Sequence, residues 1–304
     1  MPPRPDPGAP RPVLRTLRAP DGPAAHRVCA VHPGALASGE WSAVAGRLPE
    51  GTAFDLLDLG NVPEFLAAAL DARAPVVPVT DLAARCLDEL AAAGAVAEPF
   101  TLVGWSFGGV VAFEMAARLD AAGNGAAVRD LVLLDSIAPV PAFKRTDELL
   151  EPAMLLDWFA MYLAAKRGRP LTLGLTLGLT AGERRRVAAP EDGLPQVLEA
   201  AVAQGVLPPG TELAGLRKLY AAYQGGLSRN NRSTAPYEPA PLDRALTLVK
   251  PAGSLLPASG DLGWSGLSGL PVRQVDVPGD HYTMLRDPEA VGVLSGLLAG
   301  SAVA

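Results

Sequence analysis

The chain has 304 residues, 49% of them apolar, and a formal charge of −6 from 26 basic and 32 acidic side chains. That length can bury a large core, and the acidic balance gives no support to a nucleic-acid partner. No apolar run approaches the ~18 residues of a membrane span, and no charged-then-apolar leader of the secretory kind opens the chain.

In chain order, residues 1–25 are rich in Pro, Ala and Arg and read as a linker or weakly ordered tail. From 26 to 304 the pattern is that of one α/β domain, with apolar runs alternating with helical stretches. The predicted strands are Arg27–His32, Ala53–Leu59, Phe100–Gly104, Val128–Asp135, Ala245–Lys250 and Val272–Val277. Most are continuous apolar runs, as strands buried on both faces of a mostly parallel sheet should be. Helices are predicted over Thr80–Ala93, Phe107–Ala122 and Asp287–Leu298.

The alternation stops after Asp135. From Phe143 to about Ala235 there are only helical segments, Asp147–Lys166, Leu194–Gln204 and Glu212–Leu227. This predicts a helical insertion, about 143–235, between the strand ending at Asp135 and the strand Ala245–Lys250, far longer than an ordinary connection. It falls where α/β folds bind ligands, beyond the strand ends, and so reads as a lid. Its tandem repeat, Leu171–Thr180, carries no chemistry. Cys29 and Cys86, the only cysteines, lie in apolar runs and read as reduced structural thiols of a cytoplasmic protein.

Chemistry concentrates at Gly104-Trp-Ser-Phe-Gly108, a G-x-S-x-G pentapeptide between a predicted strand and a predicted helix. This context resembles the nucleophile elbow of the α/β-hydrolase fold, with Ser106 at the apex of a tight turn. Glycines at 104 and 108 remove Cβ atoms that would clash there, and the helix N-terminus favours a developing oxyanion. The alternative is a plain glycine-rich turn with an N-cap serine.

Of the three histidines, His26 and His32 precede Ser106, whereas His281 follows the last predicted strand. Order and position make His281 the general base and leave His32 as a packing residue that shapes its loop. Two aspartates compete as the acid. Asp135 ends the strand after the nucleophile's helix, and Asp261 follows the strand Ala245–Lys250, the more usual hydrolase position. Asp280 adjoins His281 but reads as a turn residue. Oxyanion donors are expected from the Phe107 N–H and from the loop His32-Pro-Gly-Ala35, where Pro33 has no N–H and Gly34 is the first that does.

Five segments together resemble the type I thioesterase domains of nonribosomal peptide and polyketide synthases, and are similar to fatty acid synthase thioesterases. They are Val28–Gly34, Gly104–Ala116, Leu133–Ser136, Asp261–Trp264 and Val277–Leu285. The resemblance implies a serine acyl-enzyme loaded from the phosphopantetheine arm of an acyl or peptidyl carrier protein and released by hydrolysis or macrocyclisation. It implies no bound cofactor, and it places the acid at Asp135. A type II editing thioesterase and a carboxylesterase are the alternative readings. After Leu59 the family pattern lapses into an alanine-rich Gly60–Val79, which leaves the pocket wall on that side undefined.

Charge is uneven. Phe143–Arg232 holds 12 basic and 9 acidic residues, a net of +3, which leaves −9 for the remainder. The basic groups cluster at Lys166-Arg-Gly-Arg169 and at Arg184-Arg-Arg186, read either as a solvated face or as a docking surface for an acidic carrier protein.

Overall fold

The computed structural model describes residues 11–144, 151–169 and 189–300. The repeat Leu171–Thr180 and the triplet Arg184, Arg185 and Arg186 lie outside them. Seven strands form one sheet: β1 (Leu14–Arg18), β2 (His26–His32), β3 (Thr52–Asp58), β4 (Phe100–Trp105), β5 (Val128–Leu134), β6 (Leu246–Gly253) and β7 (Arg273–Asp280). Their spatial order is β1-β3-β2-β4-β5-β6-β7, and every neighbouring pair is parallel except β1 with β3. The described helices are α1 (Ser42–Arg47), α2 (Pro63–Leu70), α3 (Val79–Ala92), α4 (Phe107–Ala121), α5 (Pro152–Arg167), α6 (Pro190–Ala203), α7 (Leu213–Thr234) and α8 (Pro288–Leu298).

Period-two alternation divides the apolar strands between two cores. Val28, Ala30, Val103 and Val132 face one side, where Trp41, Val44, Leu294 and Leu298 of the α1 and α8 layer cover them. Cys29, Val31, Leu102 and Leu133 face the other, against α3 and α4. Burial pushes both thiols up, that of Cys86 to about 12, so neither is poised to react.

All six predicted strands are present, with β6 and β7 running three residues further at their C-terminal ends. The predicted tail 1–25 needs correction: Leu14–Arg18 is an edge strand of the sheet, antiparallel to β3, and Thr16 donates to Asp55 Oδ1 at 2.6 Å. An edge strand takes its conformation from its partner, and the half-exposed Leu-Arg-Thr-Leu-Arg carries too little pattern to announce one.

The alanine-rich segment after Leu59 contains α2, whose eight residues would be marginal alone. It is held by α7. Gly225 lies where any Cβ would strike the Ala69 carbonyl, and the Arg229 guanidinium sits 3.5 Å from the Phe65 ring centre. Arg232 donates to the carbonyls of Ala68, Ala72 and Ala74 at 2.7–3.2 Å, neutralising the C-terminal end of α2. These arginines also carry α7 seven residues beyond its predicted end at Leu227. Residues 60–79 therefore anchor α7 and do not wall the cavity beside Ser106. Among the described residues, no helix is long and apolar enough to cross a membrane.

Candidate active site

Three parallel strands, β4, β5 and β7, end at one edge of the sheet, with β6 between the last two, and each hands one polar residue to that edge. Ser106 follows β4 and donates its N–H to Leu134 O of β5 at 2.9 Å. Asp135 follows β5 and donates to Val249 O of β6 at 2.8 Å. His281 follows β7 and donates to Gly253 O of β6 at 3.1 Å. The sheet ladder thus fixes the backbone of all three one step past their own strands.

Two of the three non-glycine residues with positive φ among those described are Ser106 (φ 55°, ψ −127°) and Asp135 (φ 40°). Such backbones are costly for L-residues and persist only where their surroundings impose them. At Ser106 the imposition comes from close backbone approach. A Cβ at Gly104 would meet the backbone of Gly108 and Gly109, and one at Gly108 would meet the Val31 carbonyl. Gly104→Ala is accordingly expected to cost about 2–3 kcal/mol through overpacking. Thermal melting checks it, and an unchanged midpoint would show that the turn can relax.

His281 and Asp135 meet directly. His281 Nδ1 lies 2.7 Å from Asp135 Oδ2, and both side chains are buried. The remaining capacity of Asp135 is filled by Ser254, whose hydroxyl donates to Oδ1 at 2.6 Å, and by Leu255 N–H, donating to Oδ2 at 3.2 Å. A carboxylate held at both oxygens has a fixed plane, and it requires His281 to carry its proton on Nδ1 and leave Nε2 free to accept. The loop that carries His281 is tied to β4 by Trp105, which donates Nε1–H to His281 O at 3.0 Å. It is tied to α7 by the Tyr223 and Tyr282 hydroxyls, 3.1 Å apart.

The other candidates stand elsewhere. Asp261 accepts from Gly263 N–H and Ser265 N–H, both at 2.9 Å, and so closes its own turn. Partial burial alone would raise its pKa, but these hydrogen bonds outweigh it and hold the carboxyl below the usual range. Asp280 Oδ1 likewise accepts from Tyr282 and Thr283 N–H. His32 is fully buried, Nε2 facing Leu36 O at 2.9 Å while Nδ1 accepts from Trp41 at 3.3 Å, and burial lowers its pKa. It pins the loop that carries Gly34. Gly34 has φ +78°, and a Cβ there would come within 2.8 Å of Gly60, so only glycine fits. Phe107 opens α4, whose first-turn N–H groups have no partner within the helix. His26 lies at the far ends of the strands, bound to Leu298 O at 2.8 Å.

Ser254, Trp105 and Tyr282 are site residues that motif reasoning did not single out. Trp105 and Tyr282 flank Ser106 and His281 within the segments that carry the family resemblance, whereas Ser254 has no signal beyond its place just after β6. Ser106 and Asp135 open into a cavity of about 240 Å³ lined by α5 and α7, with Met154, Trp158 and Leu227 among its walls.

A mostly parallel sheet with a strained serine at a strand–helix turn after β4, and an Asp–His pair carried after β5 and β7, defines an α/β-hydrolase fold. The chain belongs to the Thioesterase domain family, whose model matches residues 28–297. It is 28% identical over 207 residues to the orsellinic acid synthase ArmB of Armillaria ostoyae, which covers 67% of this chain but only 8% of that synthase. In structure it is similar to a four-domain nonribosomal peptide synthetase bound to AMP and glycine, with TM-score 0.62 and 25% identity over 96% of this chain and 20% of that one. The RedJ thioesterase of the prodiginine pathway in Streptomyces coelicolor shares the fold, with TM-score 0.52 and 20% identity over 95% and 96% of the two chains.

Proposed function

We propose that this chain releases an acyl or peptidyl group from a carrier protein through a covalent Ser106 ester, as a thioesterase of nonribosomal peptide or polyketide biosynthesis. The observation that carries this reading is the 2.7 Å His281–Asp135 pair beside a serine held at φ 55° on the rim of an acyl-sized cavity. Ser106 Oγ attacks the thioester carbonyl carbon while His281 Nε2 takes its proton, and Asp135 steadies the imidazolium that results. The oxyanion forms at the head of α4, where the N–H groups of Phe107 and Gly34 act as donors. Collapse breaks the C–S bond, and the proton on His281 goes to the departing pantetheine thiolate. Water or a nucleophile within the acyl chain then attacks the ester with His281 again as base, the ester C–O bond to Ser106 breaks, and His281 returns the proton to Oγ, giving hydrolysis or cyclisation. Buried thiols at Cys29 and Cys86 fit a reducing cytoplasm. The protein needs no bound cofactor in this scheme, since the phosphopantetheine arm arrives with the substrate.

The test is a fluorophosphonate trap followed by peptide mapping. Phosphonylation of Ser106 is expected, and an adduct confined to any other residue refutes the assignment.

The insertion between β5 and β6 acts as a lid in this reading, since α5 and α7 roof the cavity. Its net charge of +3 against −9 elsewhere would steer an acidic carrier protein to that side. Changing Arg184, Arg185 and Arg186 to glutamate should slow loading from an acyl-carrier protein about tenfold at low salt, and less as salt rises. Loading from a small pantetheine-mimic thioester has no protein surface to lose and serves as the control. Equal effects on both substrates would leave the solvated-face reading standing.

A further inference from the structure

The cavity wall is apolar along Ile137, Phe143, Met154, Trp158 and Leu255, but one corner is not. Lys144, Asn230 and Thr234 gather around the last turn of α7, and Lys144 Nζ donates to the Tyr237 carbonyl just beyond it. That bond uses one of the three ammonium N–H groups. Glu114, which Tyr237 also contacts, is already occupied by the Tyr237 hydroxyl at 2.7 Å and by Arg118 at 2.9 Å. Among the described residues Lys144 has no carboxylate partner.

Directly behind Asn230 lies a second cation with the same lack. Arg229 is buried, and its guanidinium contacts the Phe65 ring, the Phe65 carbonyl at 3.4 Å, and Asn230 Oδ1 through Nε at 3.1 Å and Nη2 at 2.9 Å. Burial lowers its pKa to about 10. The fork consumes the amide oxygen of Asn230, which fixes that amide's orientation and leaves only N–H donors to offer the cavity. Polarisation by the guanidinium strengthens those donors. An ammonium and a charge-backed amide therefore stand in a largely apolar chamber whose one carboxylate among the described lining residues, Asp135, is already engaged by His281, Ser254 and Leu255 N–H. A half-buried ammonium and a buried guanidinium, neither with a carboxylate partner among the described residues, favour the arrival of an anion.

We infer that this corner binds a carboxylate carried on the acyl chain, with Lys144 and Asn230 as its specificity determinants. The inference rests on the reading of this cavity as the acyl site. Hydrocarbon between thioester and carboxylate would lie along the apolar wall, and the carboxylate would accept from Lys144 Nζ and Asn230 Nδ2.

Two measurements test it. The first uses Ser106→Ala protein and calorimetric titration with ω-carboxyacyl and methyl-ended N-acetylcysteamine thioesters of matched lengths. Binding alone is read, so the corner is tested even if Ser106 is not the nucleophile. The carboxylate series should bind at least about tenfold tighter at its best length, the scale of a charge-assisted pair out of water. Lys144→Met in that background should erase the preference, and Lys144→Glu should turn it toward amine-ended chains. The second compares turnover of the two series by otherwise wild-type protein with and without Lys144→Met, where the ratio of kcat/KM should fall by a similar factor. Equal binding of the two series overturns the inference. So does a Lys144→Met defect seen only with thioesters of the phosphate-bearing pantetheine arm, whatever the acyl end, because the ammonium would then be reading the arm's phosphate. Fluorophosphonate labelling of Ser106 is independent of all these outcomes, so failure of the acyl-enzyme reading and failure of the carboxylate corner are told apart.

Discussion

Ser106→Ala is expected to abolish acyl-enzyme formation and lower kcat by about 10⁴-fold or more, with His281→Ala falling to a similar floor. The two losses should not add. Serine without its base keeps its proton, and a base without its serine has nothing to activate, so the double variant should match the singles. Ser106→Ala removes one oxygen from a residue whose backbone is held by Leu134 O and by close packing of Gly104, Gly108 and Gly109. Its melting temperature should therefore stay near that of the parent. Single-turnover kinetics with an acyl thioester, combined with intact-mass detection of the adduct, reads the effect. A Ser106→Ala protein that still accumulates a covalent acyl species would place the nucleophile elsewhere.

The second large effect separates the two aspartates. Asp135→Asn is expected to cut kcat by about 10²–10⁴-fold, because an amide at that position can donate to Nδ1 and so favours the wrong histidine tautomer. Asp261→Asn should leave kcat within about twofold and cost about 1 kcal/mol of stability, the scale of one weakened turn hydrogen bond. The geometry behind the contrast is direct. Asp135 Oδ2 stands 2.7 Å from His281 Nδ1, whereas the oxygens of Asp261 face the N–H groups of Gly263 and Ser265. Matched kinetics on the two variants decide it, and the reverse ranking would mean that the loop bearing Asp261 reorganises during turnover. Ser254→Ala gives an intermediate check, since it frees one oxygen of Asp135 without touching the Asp–His bond.

Where local chemistry dictates conformation, the sequence was legible. The G-x-S-x-G between an apolar run and a helical run specifies a strand–turn–helix with Ser106 at its apex, because only glycines at 104 and 108 allow the close approach. Mostly apolar runs announced β2 to β6, because strands covered on both faces need apolar residues at nearly every position, whereas the edge strand β7 was marked by alternation. Chain order alone isolated His281, since the other two histidines precede Ser106.

Other features depended on groups distant in sequence. Residue pattern alone leaves both Asp135 and Asp261 as candidates for the acid, since nothing local separates two aspartates that each follow a strand. Their roles follow from sheet order, which sets β5 between β4 and β6 and brings a residue 146 positions away onto Asp135. Edge strand β1 took its form from β3, and α2 took its stability from Gly225, Arg229 and Arg232 of α7. The cationic corner is of the same kind. Lys144 and Asn230 look like ordinary polar residues of a long insertion, and they face one cavity only because α7 is clamped to α2 and the segment after β5 folds back beneath it. Backbone conformation and burial pattern are short-range consequences of residue type, whereas the partner of a charge is set by which distant segments the fold packs against it.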